Sequence, residues 1–371
     1  MVLTPTYYLA DFQTGDLYGG ALPLERVRLT SSLQPGFFDA DLDMRKLGPL
    51  GDGYRVMDLL RNGKCTLVPI LEGVTDGAQP LTSRSLGEWW VSVIADEPPS
   101  PIVRLSGPEF AGYTKEVLLT GEWVGSQRDP IQHVRALLRE LFSASQTVAA
   151  DLGTWESPAR VPIDLRKSRM TYWDAITDLQ ASEDVPFEWM LRTGLVLDGW
   201  SPQRVTRTLD IGQPRLARAR PDIALELAAP GSVASLTAVG REQSQHRDAT
   251  TVYGWGAGHG DDQYGGPGVF TSRSREPGEP VKTRMITDSG ANSNAEVRRR
   301  TRAALERATP ELQVWSARMP TDRYTPEVGE VYGFWMDDQW TRPRVESGSV
   351  RCVGWSWASG SEEYELQLTE V

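Results

Sequence analysis

The 371-residue chain is short of several residue types that carry chemistry, with two cysteines, three histidines and only five lysines among its 39 basic residues. Cys65 and Cys352 make neither a disulfide framework nor a zinc site. Both fall in expected strands, where a free thiol behaves as a small buried hydrophobe. No apolar run approaches the roughly 18 to 20 residues that cross a bilayer, and Met1-Val-Leu-Thr-Pro5 lacks a basic stretch followed by an apolar one. Neither membrane insertion nor a cleaved secretion signal is expected. Positive charge is also scarce, at 39 basic against 50 acidic residues, a net charge of −11 and a pI near 5.0. A protein that grips nucleic acid needs a basic stripe to displace counterions, so that class is disfavoured.

Motifs for catalysis are missing as well. There is no G-x-S-x-G elbow, no H-E-x-x-H helix and no G-x-x-x-x-G-K-S/T loop. Gly254-Trp-Gly-Ala-Gly-His-Gly260 alternates its glycines without forming G-x-G-x-x-G, and no helix opens behind it. His133 falls on the wet side of an expected helix, and His246 falls between strands. His259 with Asp261 and Asp262 has ligand types that suit a divalent cation, but within a glycine-rich loop it reads as a solvated turn. Asp337-Asp338 and Glu362-Glu363 are adjacent on expected strands, where neighbours face opposite ways and cannot share a substrate. No catalytic, cofactor-binding or metal-ligating residue is therefore expected.

What the chain does have is architecture. Its length exceeds one ordinary core, and 35 glycines and 25 prolines suit a turn-rich fold of two or three domains. Strands are expected at 7–11, 24–31, 37–43, 65–72, 88–95, 101–105 and 114–119, with a short helix at 54–61; these make a first barrel or sandwich over 1–124. Composition then shifts to an α+β insert over 125–221. Asp129-Pro-Ile-Gln132 caps a helix with Ile131, Val134, Leu138, Leu141 and Phe142 on one stripe. A strand at 161–165, a helix at 172–182 and a hairpin turning at Thr193-Gly194 follow.

The last region, 222–371, is β-rich again, with a glycine-rich loop at 256–280 and one arginine-rich helix at 295–309. Its final sixty residues read as a four-stranded antiparallel meander. Tyr364, Leu366 and Leu368 alternate with Glu363, Glu365 and Gln367, the mark of one buried and one wet face. The strand at 330–336 differs, because Val331 and Trp335 point one way while Tyr332, Phe334 and Met336 point the other. Both faces are apolar, so a partner should cover one of them. Tyr332, Phe334, Trp335, Met336, Trp355 and Trp357 are the candidate subunit-interface residues. Thirteen tryptophans fit cores and interfaces; a carbohydrate-binding surface would instead use exposed members such as Trp89, Trp90 or Trp200.

Three features carry a family resemblance. Tyr7-Tyr-Leu-Ala-Asp-Phe-Gln-Thr-Gly15, followed by Ala21-Leu-Pro-Leu24, resembles the start of minor tail proteins from phages of actinobacteria, which are similar to the tail hub proteins of siphophages and the baseplate hubs of contractile tails. Thr325-Pro-Glu-Val-Gly-Glu-Val331 resembles the P-x-x-G-D-x-V turn of such hubs, with Glu330 where Asp is commoner. The order of β-barrel, α+β insert and second β-barrel is the third feature. The resemblance implies a mainly β, α+β fold with two tube-like antiparallel β-barrel domains flanking the insert, and a structural virion protein without cofactor. It further implies a homotrimeric ring of six barrels between a sixfold tail tube and a threefold tip, assembled in the host cytoplasm. Its neighbours would be the distal tail protein, the tape measure protein and downstream minor tail or fibre proteins, and DNA would pass through the lumen without specific binding. The alternatives are a hub-associated cell-wall hydrolase and a carbohydrate-binding receptor module.

Overall fold

In this computed structural model the described residues are 4–371 without 48–52, 75–81, 98, 120, 122, 145–147, 158–159, 166–169, 181–186, 200, 228–234, 244–248, 259–262, 274–280, 288–292, 309–312, 323 and 338–344. β1 (Thr6–Asp11) and β2 (Leu17–Leu22) pair antiparallel about a turn that Asp11 closes, its carboxylate accepting the amides of Gln13 and Thr14 at 2.9 and 2.8 Å. β3 (Leu24–Ser32), β4 (Phe37–Asp43) and α1 (Gly53–Arg61) come next. β5 (Cys65–Val74), β6 (Thr82–Ser85), β7 (Trp89–Trp90), β8 (Val93–Asp96) and β9 (Ile102–Pro108) complete the strands of the first region. The strand expected at 114–119 is not formed. Phe110–Lys115 coils as a 3-10 helix, and its Phe110 ring lies 5.3 Å from Phe12 and 6.1 Å from Phe142. Packing of that ring overrides the local β propensity.

The insert contains β10 (Trp123–Arg128), α2 (Pro130–Ala144), β11 (Val161–Leu165), α3 (Tyr172–Gln180), β12 (Glu188–Asp198) and β13 (Ser201–Gly212). Asp129 starts α2 as expected, accepting the Ile131 amide at 2.8 Å, while its second oxygen accepts the Ser157 amide at 2.9 Å. One side chain thus caps a helix and anchors a loop, and the cap alone is worth about 1 kcal/mol. Ile131, Val134, Leu138 and Leu141 are fully buried against α3 and the inner face of the hairpin. That hairpin does not turn at Thr193-Gly194. β12 runs straight through both residues, opposite Arg207 and Thr206, and the chain reverses at Gly199, whose φ is +59°. The later turn makes a strand pair about twice the expected length.

The last region begins with β14 (Arg218–Leu227) and β15 (Ala238–Gln243). β16 (Thr251–Trp255), β17 (Gly265–Ser272) and β18 (Thr283–Thr287) form a small sheet packed on α4 (Asn294–Ala308). One expectation changes here. A strand occupies part of the 256–280 loop, and the arginine-rich helix packs its Val297, Ala304 and Leu305 on this three-stranded module. Gly254 shows why the glycine run is there: a Cβ at this position would lie 2.5 Å from the Thr301 side chain and 2.7 Å from Val297, so α4 sits on bare backbone.

β19 (Gln313–Pro320), β20 (Glu330–Asp337), β21 (Val345–Ala358) and β22 (Glu363–Glu370) finish the chain. They are not a simple meander, since β19 pairs with β22 instead of β20 in a Greek-key order. The free edge of β20 is taken by β14, which runs parallel to it. β21 is long enough for two jobs. Residues 345–351 pair with β20, and residues 354–358 pair with β3, placing Trp355 opposite Ser31 and Trp357 opposite Leu29.

That last pairing fuses the outer regions. A ten-stranded sheet runs β15-β19-β22-β21-β3-β4-β9-β8, with β20 and β14 branching from β21. The class is mainly β and α+β, as expected, but the described strands close no barrel. One apolar core crosses the seam, with Leu29, Phe38, Leu42, Leu67 and Trp89 on one side and Trp315, Tyr332, Trp355 and Leu368 on the other.

Candidate functional site: a junction built on a glycine turn

The Thr325–Val331 segment, singled out in the sequence, forms the turn into β20 at the point where all three regions meet. Gly329 sits at φ +86°, donates its amide to the Cys352 carbonyl at 2.7 Å and accepts from the Arg218 amide at 2.9 Å. A Cβ there would be 3.1 Å from the Leu216 side chain. Both the conformation and the space therefore call for glycine.

The flanking glutamates gather arginines from every region. Glu327 pairs with Arg84 of β6, with Arg192 of β12 at 2.9 Å and, more loosely, with Arg218 of β14 at 3.8 Å. Arg192 also reaches Asp210 at 2.6 Å and the Val328 carbonyl at 3.1 Å. Glu330 is fully buried and accepts from Arg220 at 3.0 Å, Tyr324 at 2.6 Å, Tyr332 at 2.7 Å and the Glu327 amide at 3.2 Å. Burial first, and the Glu330 charge second, hold the Tyr324 hydroxyl well above the ordinary phenol range. Tyr332 is raised likewise, with burial again the leading cause. Both phenols therefore stay donors at any ordinary pH.

Two further pairs pin the insert to its neighbours. Arg351 of β21 pairs with Glu188 of β12 and donates to the Leu216 carbonyl at 3.1 Å. Arg207 of β13 is 1% exposed and meets the wholly buried Glu88 in a two-pronged contact of 2.8 and 2.6 Å. Thr66 donates to Glu88 at 2.6 Å, and the guanidinium lies 4.2 Å over the Phe110 ring. A buried pair gains little net energy over apolar replacements, but removing one partner strands a charge at a cost of about 3–5 kcal/mol. Such pairs specify geometry, and here they fix the insert against both β regions.

Glu109, just before the 3-10 helix, is a further enclosed acid. It accepts the Gly36 amide at 2.6 Å, and burial pushes its carboxyl up to about 7. Among the described residues no group of three or more His, Cys, Asp or Glu is placed to hold a metal. His259, Asp261, Asp262, His246 and Trp200 lie outside the described residues. His133 is half-buried, edge-on to Trp123 at 5.5 Å, and burial lowers its pKa.

The six interface candidates divide. Tyr332, Phe334, Trp355 and Trp357 are buried within the single chain, so their area is already used by its own core. Trp335 and Met336 stay half-buried and keep surface for a partner. Phe334 stacks 5.3 Å from Trp315, and Trp355 stands edge-on to Tyr364 at 5.8 Å. Local alternation points these aromatics outward, and β14, β3 and the long-range core bury four of them. Trp89 is fully buried, and Trp90 is half-buried with its indole donating to the Gly63 carbonyl at 3.0 Å, so neither offers a sugar platform.

The junction arginines were missed, yet a signal exists for one of them. In β13, Val205, Arg207 and Leu209 share the inward face. An arginine between two core positions of an alternating strand predicts a buried acidic partner.

The chain matches no family model. No curated protein matches it either. Solved structures do share its fold, and the likeness runs end to end. The tail protein from Neisseria meningitidis MC58 superposes with a TM-score of 0.54 at 15% identity, over 98% of this chain and 97% of that one. The 43 kDa tail protein of prophage MuSo2 from Shewanella oneidensis gives 0.57 at 10% identity, over 99% and 98%. A chain of the Francisella PdpA–VgrG complex gives 0.50 at 9% identity, with 99% of this chain matching 58% of that one. At these identities the sharing is of fold, and the fold is that of phage tail proteins.

Proposed function

We propose that this chain is a structural subunit of a phage tail tip, a hub whose copies form a threefold ring joining the sixfold tail tube to the tip. The observation that carries this reading is the single sheet through the first and last regions. Among the described residues its three terminal strands, β15, β8 and β14 at the end of the branch, have no partner on their outer edges. A sheet with unlike open ends favours head-to-tail contact between copies, and such contact closes into a ring when the rotation permits. Two β regions side by side in each of three subunits present six β units to the tube. The shared fold with tail proteins supports the same role, as does a junction that spends its charged residues on rigidity.

In this reading the chain is not an enzyme. The ring sits in the virion between the distal tail protein and the downstream tip or fibre proteins, with the tape measure protein and then DNA passing its lumen. A net charge of −11 keeps phosphate from adhering to the wall. Electron microscopy of the purified full chain tests the proposal: class averages with threefold symmetry and a central pore are expected, and solid or asymmetric single-chain particles alone would overturn it. Clearing of purified cell walls by the isolated protein would overturn the non-enzymatic part.

A further inference from the structure

The module formed by β16, β17, β18 and α4 is covered on one side only. Val252 and Ile286 pack with Ala304 and Leu305, and Val269 packs with Val297. On the opposite side the strand register sets Phe270, Tyr253 and Met285 in one cross-strand row, with Phe270 51% and Met285 68% exposed. Trp255 continues the row along β16, its ring 6.4 Å from Tyr253, which is itself 5.6 Å from Phe270. The remaining outward positions of the three strands are Thr, Ser and Gly, so the whole face is free of charge. Four of the eleven large hydrophobics exposed among the described residues belong to this module.

The composition is that of an interface centre: aromatic and methionine side chains and no charge. Arg298, Arg299 and Arg302 of α4 and Arg284 of β18 are exposed, but they belong to the α4 side of the sheet and leave the aromatic face itself uncharged. Size then restricts the occupant. Three strands about 4.8 Å apart and five residues long offer on the order of 250 Å², against roughly 800 Å² per partner in a stable complex. Whatever covers the face must be held by other contacts too, as a neighbouring subunit is.

Charge restricts it further. Residues 251–308 hold nine basic and seven acidic residues, while the rest of the chain holds 30 and 43. Two such modules face to face would oppose like charge, whereas a module against the remainder of another copy brings opposite charges together. We infer that the outer face of β16, β17 and β18 docks on the acidic remainder of a second copy of this chain, in a heterologous contact. The inference rests on the ring reading and adds which surface of the subunit makes one of its contacts.

The test uses the full chain with Met285→p-benzoylphenylalanine, irradiated in low and high salt, with mass measured on the same sample by light scattering. Expected are products of two and three times 41.1 kDa, with attachment points outside 251–308 of the acceptor copy and severalfold less product at ~1 M salt. Attachment within 251–308 of the other copy would overturn the heterologous arrangement. A trimer mass without any product between copies would overturn this inference and leave the ring standing. A single-chain mass without product would overturn both. In parallel, Phe270→Asp is expected to weaken association at least tenfold with an unchanged melting temperature, because the residue is exposed within one copy. Unchanged association in that variant would contradict the inference.

Discussion

The seam between β21 and β3 and the module of residues 251–308 bury themselves to very different degrees. The seam is lined by side chains from both ends of the chain, with Leu29 and Cys352 fully buried and Trp355 4% exposed. The module has two small clusters, Ala249, Val252, Ala304 and Leu305 in one and Val269 with Val297 in the other, and an uncovered aromatic face. One region is finished within a single copy; the other leaves Phe270 and Met285 exposed on an aromatic face. In the proposed ring, self-sufficiency and dependence are allotted to different parts of the same chain.

That contrast can be broken most forcefully at the buried pairs. Arg207→Ala strands the Glu88 charge and should cost about 3–5 kcal/mol, read as a lower urea midpoint. The double change Arg207→Met with Glu88→Leu should recover most of that loss; if it does not, the pair stabilises in its own right rather than specifying position. Gly329→Ala comes next. It places a side chain at φ +86° and within 3.1 Å of Leu216, and should cost about 1–3 kcal/mol by the same measurement.

Hydrogen exchange sharpens the comparison without mutation. Amides of β16 to β18 should exchange faster than those of β21 in the isolated chain, as expected of a region with few buried contacts. They should slow on assembly. Equal protection of the two regions in the monomer would contradict the claim that the module is incomplete.

Glu109 gives a smaller effect with a defined sign. Its folded pKa of about 7 lies above the ordinary 4.5, so between those values the folded state holds a proton that the unfolded state has released. Stability should therefore fall as pH rises from 4.5 to 7 and level off above. Glu109→Gln should flatten that slope in a thermal-melt series across pH. The smallest effect belongs to Arg218→Ala, since the side chain is 63% exposed and 3.8 Å from Glu327. Its loss should shift stability by no more than about 0.5 kcal/mol.

Much of the local structure was legible in the sequence, and the reasons are specific. Asp129 before a proline and a stripe of Ile131, Val134, Leu138 and Leu141 define α2, because cap and period act within a few residues. Alternation in 363–369 defines β22 for the same reason. Long-range pairing was not legible. Nothing near β21 says that its far half meets β3, more than three hundred residues away, or that β14 takes the free edge of β20 in parallel. Thr193-Gly194 marks a turn locally through its glycine, whereas the register of two long strands carries the reversal to Gly199. Of the functional reading, the glycine turn at Gly329 was visible but its partners were not, since Arg84, Arg192 and Arg220 come from three distant strands.

The most direct measurement is the mass of the purified full chain by light scattering over a wide concentration range. Assembly through open sheet ends and an incomplete module predicts a species near three times 41.1 kDa that grows with concentration and recedes in high salt. A single-chain mass at every concentration, with β16 to β18 as well protected as the seam, would contradict it.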